Sequence, residues 1–157
     1  MAHGEDPDDV LAAMRRMSRD NARTPVQWDA SPSAGFTTGT PWIAVNPDHA
    51  EWNAEAQRAD PTSVFAHHKR LIALRHADPV VALGDFTMLL PEHDEVYAFT
   101  RSLDGDTRLV VCNLGASTHP LGDLLPEAVG AQVVLGNLGE GDPAVLRPWE
   151  ARVLRPR

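Results

Sequence analysis

The side chains best suited to chemistry in this sequence are two adjacent histidines and a single cysteine. His67 and His68 lie in a segment with helical periodicity, so they point in different directions and cannot share a metal ion as an i, i+4 pair can. Cys112 lies in a hydrophobic stretch without a nearby histidine signature, and a lone thiol forms no internal disulfide. We therefore predict no metal site, and we interpret Cys112 as a buried structural thiol.

Two acidic clusters also have better structural explanations than chemical ones. Asp104-Gly105-Asp106 resembles part of a calcium loop but lacks the rest of the twelve-residue pattern, so we predict a hairpin turn. Asp6, Asp8 and Asp9 precede or begin a helical segment, where carboxylates favour the positive end of the helix dipole. Neither cluster predicts a catalytic pair of carboxylates.

The composition is that of a globular protein with an acidic surface. The 157 residues are 43% hydrophobic and 23% charged, and the formal net charge is −8. This charge argues against nucleic acid and against an anionic membrane surface as partners. No stretch approaches the roughly 20 apolar residues of a membrane span, and the first six residues lack a secretory pattern. We therefore expect a cytoplasmic location.

Two helices are predicted in the first half of the chain. The first spans residues 8–17, with Asp6 as the capping residue and Pro7 at the favoured first helical position. The second spans about residues 61–76, with Asp60 as its cap, and ends at Asp78-Pro79.

Residues 18–59 lie between these helices and contain proline and glycine at a density that forbids a long regular element. Three of the four tryptophans of the chain lie in this segment, namely Trp28, Trp42 and Trp52. Such a composition is unlike a disordered linker, and a long ordered loop is usually functional. We predict an ordered, functional loop.

The second half of the chain changes to short runs with a period of two. We predict an antiparallel β-sandwich for residues 80–157, so that the fold class of the whole chain is α+β. The predicted strands are residues 86–90, 96–101, 108–114, 131–135 and 151–154. The two helices and the loop of the first half are too little to close a core of their own, so we expect a missing N-terminal partner.

The loop carries the most specific pattern in the sequence. It contains Ser-Arg-Asp-Asn-Ala-Arg-Thr-Pro-Val-Gln-Trp-Asp at residues 18–29, Ala-Gly-Phe-Thr-Thr-Gly-Thr-Pro-Trp-Ile at 34–43 and Val-Asn-Pro at 45–47. This segment resembles the signature after the last barrel strand of α-glucosidases and oligo-1,6-glucosidases of glycoside hydrolase family 13. Val26 departs from the usual methionine, and both residues are apolar. The similarity extends over nearly the whole chain, from about residue 8.

The resemblance implies a (β/α)8 barrel followed by an antiparallel β domain, with residues 1–79 as the end of the barrel and 80–157 as the β domain. Such enzymes retain anomeric configuration: an aspartate attacks the sugar, a glutamate protonates the leaving oxygen, and two carboxyl groups lie roughly 5 Å apart. In the family these residues lie upstream of everything in this chain. The resemblance therefore assigns no catalytic residue here and implies that the chain alone does not hydrolyse a glycosidic bond.

What the resemblance does assign is one wall of a glucose pocket. In related enzymes an arginine of the Arg-Asp-Asn-Ala-Arg segment contacts the terminal sugar and pairs with a barrel carboxylate, a task that suits the guanidinium fork. Arg23 is the first candidate and Arg19 the second, and the alternative is that both only tie the loop to the barrel. We interpret Asp20, Gln27 and Asp29 as residues that organise the loop, and Trp28 as a buried anchor rather than a sugar platform.

We therefore expect the C-terminal fragment of an exo-acting α-glucosidase that removes terminal α-linked glucose from oligosaccharides without a cofactor. Two alternatives stay open. The chain is a non-catalytic accessory or split-enzyme module that docks on a separately encoded barrel and exposes an apolar face on its helices. Otherwise it belongs to a related transferase, such as a sucrose isomerase or trehalose synthase, since the residues that separate these enzymes lie mostly upstream.

Overall fold

A computed structural model describes residues 6–17 and 19–157. The chain forms two compact units, Met1–Asp60 and Pro61–Arg157, and each is described by itself. The boundary expected after residue 79 concerns the domains of a whole enzyme and stays a prediction.

Helix α1 spans Pro7–Met17 in the first unit and begins as predicted. The Asp6 carboxylate accepts a hydrogen bond of 2.9 Å from the Asp8 amide, and Pro7 fills the first helical position. The apolar stripe of α1 is exposed, with 39–58% of Val10, Leu11 and Met14 open to solvent.

The loop that follows is ordered by short turns rather than long elements. Three 3-10 helices lie at Arg19–Arg23, Pro32–Gly35 and Pro47–Ala50. The loop ends in helix α2, Ala54–Ala59, whose six residues agree with the expectation that no long regular element forms here. The side chain of Asn53 caps α2 by accepting a 2.9 Å hydrogen bond from the Ala56 amide. In so short a helix this cap is the main feature that the sequence offers to predict it.

Helix α3 in the second unit begins later than predicted. It spans Val64–Ala77, and its cap is Ser63, whose hydroxyl accepts from the Ala66 amide at 3.1 Å. Asp78 ends α3 and caps a further helix, α4, at Pro79–Leu83, through a 3.0 Å bond from the Val80 amide. The expected onset of β structure at residue 80 was therefore wrong, because the Asp-Pro pair starts a new helix.

The sheet contains all five predicted strands, with ends shifted by no more than two residues. The strands are β1 Asp85–Met88, β2 Val96–Leu103, β3 Asp106–Asn113, β5 Gln132–Gly136 and β7 Ala151–Arg155. Their order in the sheet is β1-β2-β3-β7-β5, and every neighbouring pair is antiparallel. Asp104 and Gly105 form the β2–β3 turn with φ of 51° and 87°, which confirms the predicted hairpin.

A small second layer covers one face of the sheet. It is a two-stranded ribbon, β4 His119–Pro120 with β6 Val145–Leu146, followed along the chain after β4 by helix α5, Leu121–Leu124, and a 3-10 helix, Pro126–Ala128. The two layers enclose the core, whose buried residues are Val96, Ala98, Leu109, Val111, Leu121, Leu125, Ala128, Leu146 and Leu154. The fold is α+β with an antiparallel sheet, and the layer opposite the sheet is a ribbon rather than a full sheet.

Buried charges complete this unit. Arg108 donates from Nε to Asp78 Oδ2 at 2.7 Å, which joins α4 to the sheet. Glu150 is 3% exposed and accepts from Arg147 and Arg152 at 2.8–2.9 Å. Burial alone raises the pKa of Glu150, but these hydrogen bonds outweigh burial and hold the pKa at about 2.

Among the described residues, no helix combines the length and apolar character needed to cross a membrane.

Candidate functional site

Arg23 closes the 3-10 helix Arg19–Arg23 and keeps its guanidinium accessible. Its side chain is 40% exposed and forms an ion pair with Asp20, three residues earlier on the same turn. The guanidinium carbon lies 5.3 Å from the centroid of the Trp42 ring, within range of a cation–π contact. Arg23 is thus held between a carboxylate and an aromatic ring, both more exposed than Arg23 itself. The side chain of Arg19, the second candidate, lies outside the described residues.

Gln27 organises the loop, as predicted from the sequence. Its side-chain nitrogen donates to the Trp52 carbonyl at 2.6 Å and to Asp48 at 3.2 Å, and its side-chain oxygen accepts from Asn46 at 3.3 Å. Its main-chain carbonyl accepts from the Ala54 amide at 2.8 Å. One amide side chain therefore joins the Asn46-Pro47 turn to the start of α2, which satisfies polar groups that an irregular backbone leaves open.

Asp29 organises the neighbouring turn. Its carboxylate accepts from the hydroxyl and, at 2.8 Å, from the amide of Ser31, and the Ser31 hydroxyl and then its amide lower the pKa of Asp29. The amide of Trp28 donates to the Ala34 carbonyl at 2.9 Å and closes the loop. Gly35 has φ of 64°, and a Cβ there would lie 2.5 Å from the Asp29 carboxylate, so glycine avoids strain and a clash at this position.

The sequence prediction that Trp28 is a buried anchor was wrong, because 54% of this residue is exposed. The fold uses its backbone instead: its amide bonds to Ala34, and its carbonyl accepts from the Glu55 amide at 3.0 Å. Further aromatic residues of the same unit are exposed with Trp28, namely Phe36 at 48%, Trp42 at 79% and Trp52 at 56%.

Trp42 is the site residue that sequence reasoning missed. Its contact with Arg23 joins residues 19 positions apart through irregular backbone, where no periodicity signals a shared face. The available signal was chemical: an exposed aromatic in the same loop as an arginine forms a natural partner for a planar cation.

His67 and Cys112 lie in the second unit. His67 is half-buried on α3 with a buried Nδ1, and burial, then Arg70 and His68, lower its pKa. Cys112 is half-buried rather than buried on β3, and burial raises its pKa, which disfavours the thiolate a nucleophile needs. In the ranges 6–17 and 19–157, no three His, Cys, Asp or Glu side chains cluster to suit a metal ion.

The chain is similar to known sugar enzymes over almost all of its length. The family described as α-amylase, catalytic domain, matches residues 1–84. The oligo-1,6-glucosidase of Parageobacillus thermoglucosidasius is 38% identical over 163 aligned positions, which cover 99% of this chain and 29% of that protein. The trehalose-6-phosphate hydrolase of Escherichia coli K12 is 38% identical over 154 positions, covering 94% of this chain and 27% of that protein.

Solved structures agree with these relatives. The trehalulose synthase MutB of Pseudomonas mesoacidophila MX-45 superposes with a TM-score of 0.80 at 36% identity, covering 98% of this chain and 28% of that one. The chain spans less than a third of the length of each of these relatives. Because the family match covers more than half of the chain, this chain belongs to the α-amylase family.

Proposed function

We propose that this chain is the C-terminal part of a retaining α-glucosidase that hydrolyses terminal α-linked glucose from oligosaccharides. Residues 1–79 then form the end of a (β/α)8 barrel and residues 80–157 its β domain. The observation that carries the proposal is the ordered loop centred on Gln27, which keeps Arg23 accessible beside Trp42. The named activities of its relatives, oligo-1,6-glucosidase and trehalose-6-phosphate hydrolase, support a glucoside as the substrate.

In this proposal Arg23 holds the terminal sugar and pairs with a barrel carboxylate, and Arg19 assists. In this chain Asp20 forms an ion pair with the Arg23 guanidinium, but both side chains are exposed. An exposed ion pair contributes little, so a barrel carboxylate and a sugar hydroxyl exchange with Asp20 at low cost. The planar fork of Arg23 then binds both, while Trp42 keeps the guanidinium plane in place.

The exposed faces of two helices support the expectation of a barrel partner. No residue of α3 is buried, and Val64, Phe65 and Ile72 expose 45–79% of their surface. The stripe of α1 is exposed as well. Apolar surface of this kind marks an interaction site in a folded protein. It also favours the second candidate function, a split-enzyme module that acts on a separately encoded barrel.

The test is to express the full chain and measure hydrolysis of a chromogenic α-glucoside. The chain alone should show no turnover, because the proposal places the nucleophile and the acid in the missing barrel. Adding the barrel of an oligo-1,6-glucosidase truncated before the matching region should restore hydrolysis. Turnover by the chain alone would contradict the proposed absence of the catalytic carboxylates. Restored activity confined to isomerisation of sucrose would instead favour the trehalulose synthase type.

The role of Arg23 is tested in the restored enzyme. Arg23→Lys should lower kcat/KM by about 10–100-fold, the size of a hydrogen bond to a charged group, because lysine lacks the fork. The matched control is Arg58→Lys, an exposed arginine on α2, which should leave kcat/KM unchanged. If both substitutions changed kcat/KM equally, Arg23 would act only as a surface charge and not as a sugar-binding residue.

A further inference from the structure

Trp149 occupies a turn position that bulky residues rarely adopt. Residues 147–150 form a tight turn closed by the Glu150 amide, which donates to the Arg147 carbonyl at 3.2 Å. Trp149 has φ of 58°, in the left-handed region that this turn position reserves for glycine or asparagine. Its side chain remains 62% exposed, so burial of the ring does not offset the strain. Strained residues cluster at functional sites, so the conformation of Trp149 supports a functional role for its side chain.

Hydrogen bonds from neighbouring segments hold this turn in place. The Trp149 amide donates to the Gly115 carbonyl at 3.3 Å, and the Trp149 carbonyl accepts from the Asn137 side chain at 2.8 Å. Asn113 is 2% exposed and donates to the carbonyls of Arg147 at 2.9 Å and Ser117 at 2.7 Å. The indole is therefore presented by a rigid support that joins the turn to the loop around Gly115.

A polar cluster lies beside that loop and includes one of its residues, Ser117. The Glu95 carboxylate accepts from the Ser117 hydroxyl at 3.2 Å and pairs with His119 Nε2 at 3.0 Å. Glu95 also packs on Gly115, where a Cβ would lie 2.5 Å from its carboxyl carbon. The Glu95 side chain is 35% exposed and Ser117 is exposed, so both can meet a ligand. An exposed indole and groups that bind hydroxyls thus belong to adjoining loops.

We propose that Trp149, Glu95 and Ser117 form a carbohydrate-binding site on the second unit, which takes a pyranose ring of a neutral oligosaccharide. A pyranose has an apolar face for the indole and hydroxyls for the carboxylate and the serine. The charge of −8 and the carboxylate at the site disfavour an anionic ligand. Only the choice of an α-glucan as the sugar rests on the proposed function.

The site lies at the end of the β2–β3 hairpin opposite to helix α4. The β2–β3 register places Val96 opposite Asn113 at one end of the hairpin and Leu103 opposite Asp106 at the other. The Asp78–Arg108 pair joins α4 near the second end, whereas Asn113 anchors Trp149 at the first.

The experiment titrates maltotriose into the full chain and follows the indole N–H signal of Trp149 by NMR, with calorimetry alongside. Saturable binding is expected. Trp149→Asn removes the ring but accepts the left-handed φ, so binding should weaken by at least about tenfold while Tm stays equal or rises. Glu95→Gln should weaken binding as well, and Glu140→Gln, an exposed acid nearby in sequence to this turn, should not.

Each other outcome overturns the site. A Trp149 signal that maltotriose does not shift, or a Trp149→Asn variant that loses Tm but keeps full sugar affinity, assigns Trp149 a structural role only. Self-association that Trp149→Asn abolishes, without a sugar-dependent shift, makes the surface a contact between copies. This experiment measures sugar binding and not hydrolysis, so it is independent of the test of the proposed function. If hydrolysis were restored by an added barrel while Trp149 bound no sugar, the proposed function would stand and this site would be wrong.

Discussion

The two units of this chain are stabilised in different ways. The loop of the first unit is held by polar side chains, above all Gln27 and Asp29, while its tryptophans are exposed. Pro25 and Ala34 are its only buried apolar residues among those described. The second unit encloses a hydrophobic core between a sheet and a ribbon, and adds a buried ion cluster around Glu150.

This difference indicates that the second unit can fold by itself, whereas the first unit holds functional side chains at a surface. A core that removes apolar surface from water supplies most of the free energy of folding, and the second unit has one. Hydrogen bonds contribute about 1 kcal/mol each but fix direction, which suits a loop that must hold Arg23 and Trp42 at a surface.

The largest effect is expected at the ion cluster of the second unit. Glu150→Ala should lower the free energy of unfolding by about 3–5 kcal/mol, because it leaves the buried guanidinium of Arg152 unpaired. Urea unfolding followed by far-UV circular dichroism measures the change. Glu140→Ala is the control: only the main-chain carbonyl of Glu140 contacts Arg147, so its stability should change by less than about 0.5 kcal/mol. A similar loss in both variants would show that the cluster is not the origin.

Acid should remove the same contribution without a mutation. The pKa of Glu150 is lowered from 4.5 to about 2, so the folded state binds fewer protons than the unfolded one between these values. Stability is therefore fully present above pH 4.5 and is lost as pH falls towards 2, by about 3 kcal/mol from this group. Unfolding curves at several pH values measure the loss. In Glu150→Gln this part of the pH dependence should vanish, and a wild-type profile in that variant would contradict the assignment.

The sequence predicted the strands of the second unit well, because alternation of apolar residues states directly which face is buried. Helix α4 was missed, since Val80, Val81 and Leu83 favour a strand on propensity, and the Asp78 cap with Pro79 at the first position decides otherwise. The cluster at Glu150 was missed as well. Glu150 and its partners Arg147 and Arg152 lie close together in the sequence, but no local pattern states that Glu150 and Arg152 are buried.

The sequence predicted which residues form the candidate site better than it predicted how they are arranged and how exposed they are. The loop pattern identified Arg23, and its polar residues suggested the roles of Gln27 and Asp29, which form the bonds expected of them. Trp28 was expected to be buried because large aromatic residues usually are. Whether such a ring is covered depends on what packs against the loop, and a single sequence does not state this.

The smallest effect is expected in the loop, where one added methyl group should act locally. In Gly35→Ala the new Cβ would meet the Asp29 carboxylate at 2.5 Å, and φ of 64° is strained for alanine, at a cost of about 1–3 kcal/mol. Hydrogen exchange should quicken at the amides of Trp28, Ser31 and Ala34, which depend on this turn, and remain unchanged in the sheet. Gly39→Ala is the matched control, because its Cβ would meet only the Thr37 hydroxyl at 3.7 Å and its φ lies outside the left-handed region. Exchange that quickens equally in the sheet and the loop of Gly35→Ala would mean that the units unfold together, and the contrast between a polar loop and a self-sufficient core would fail.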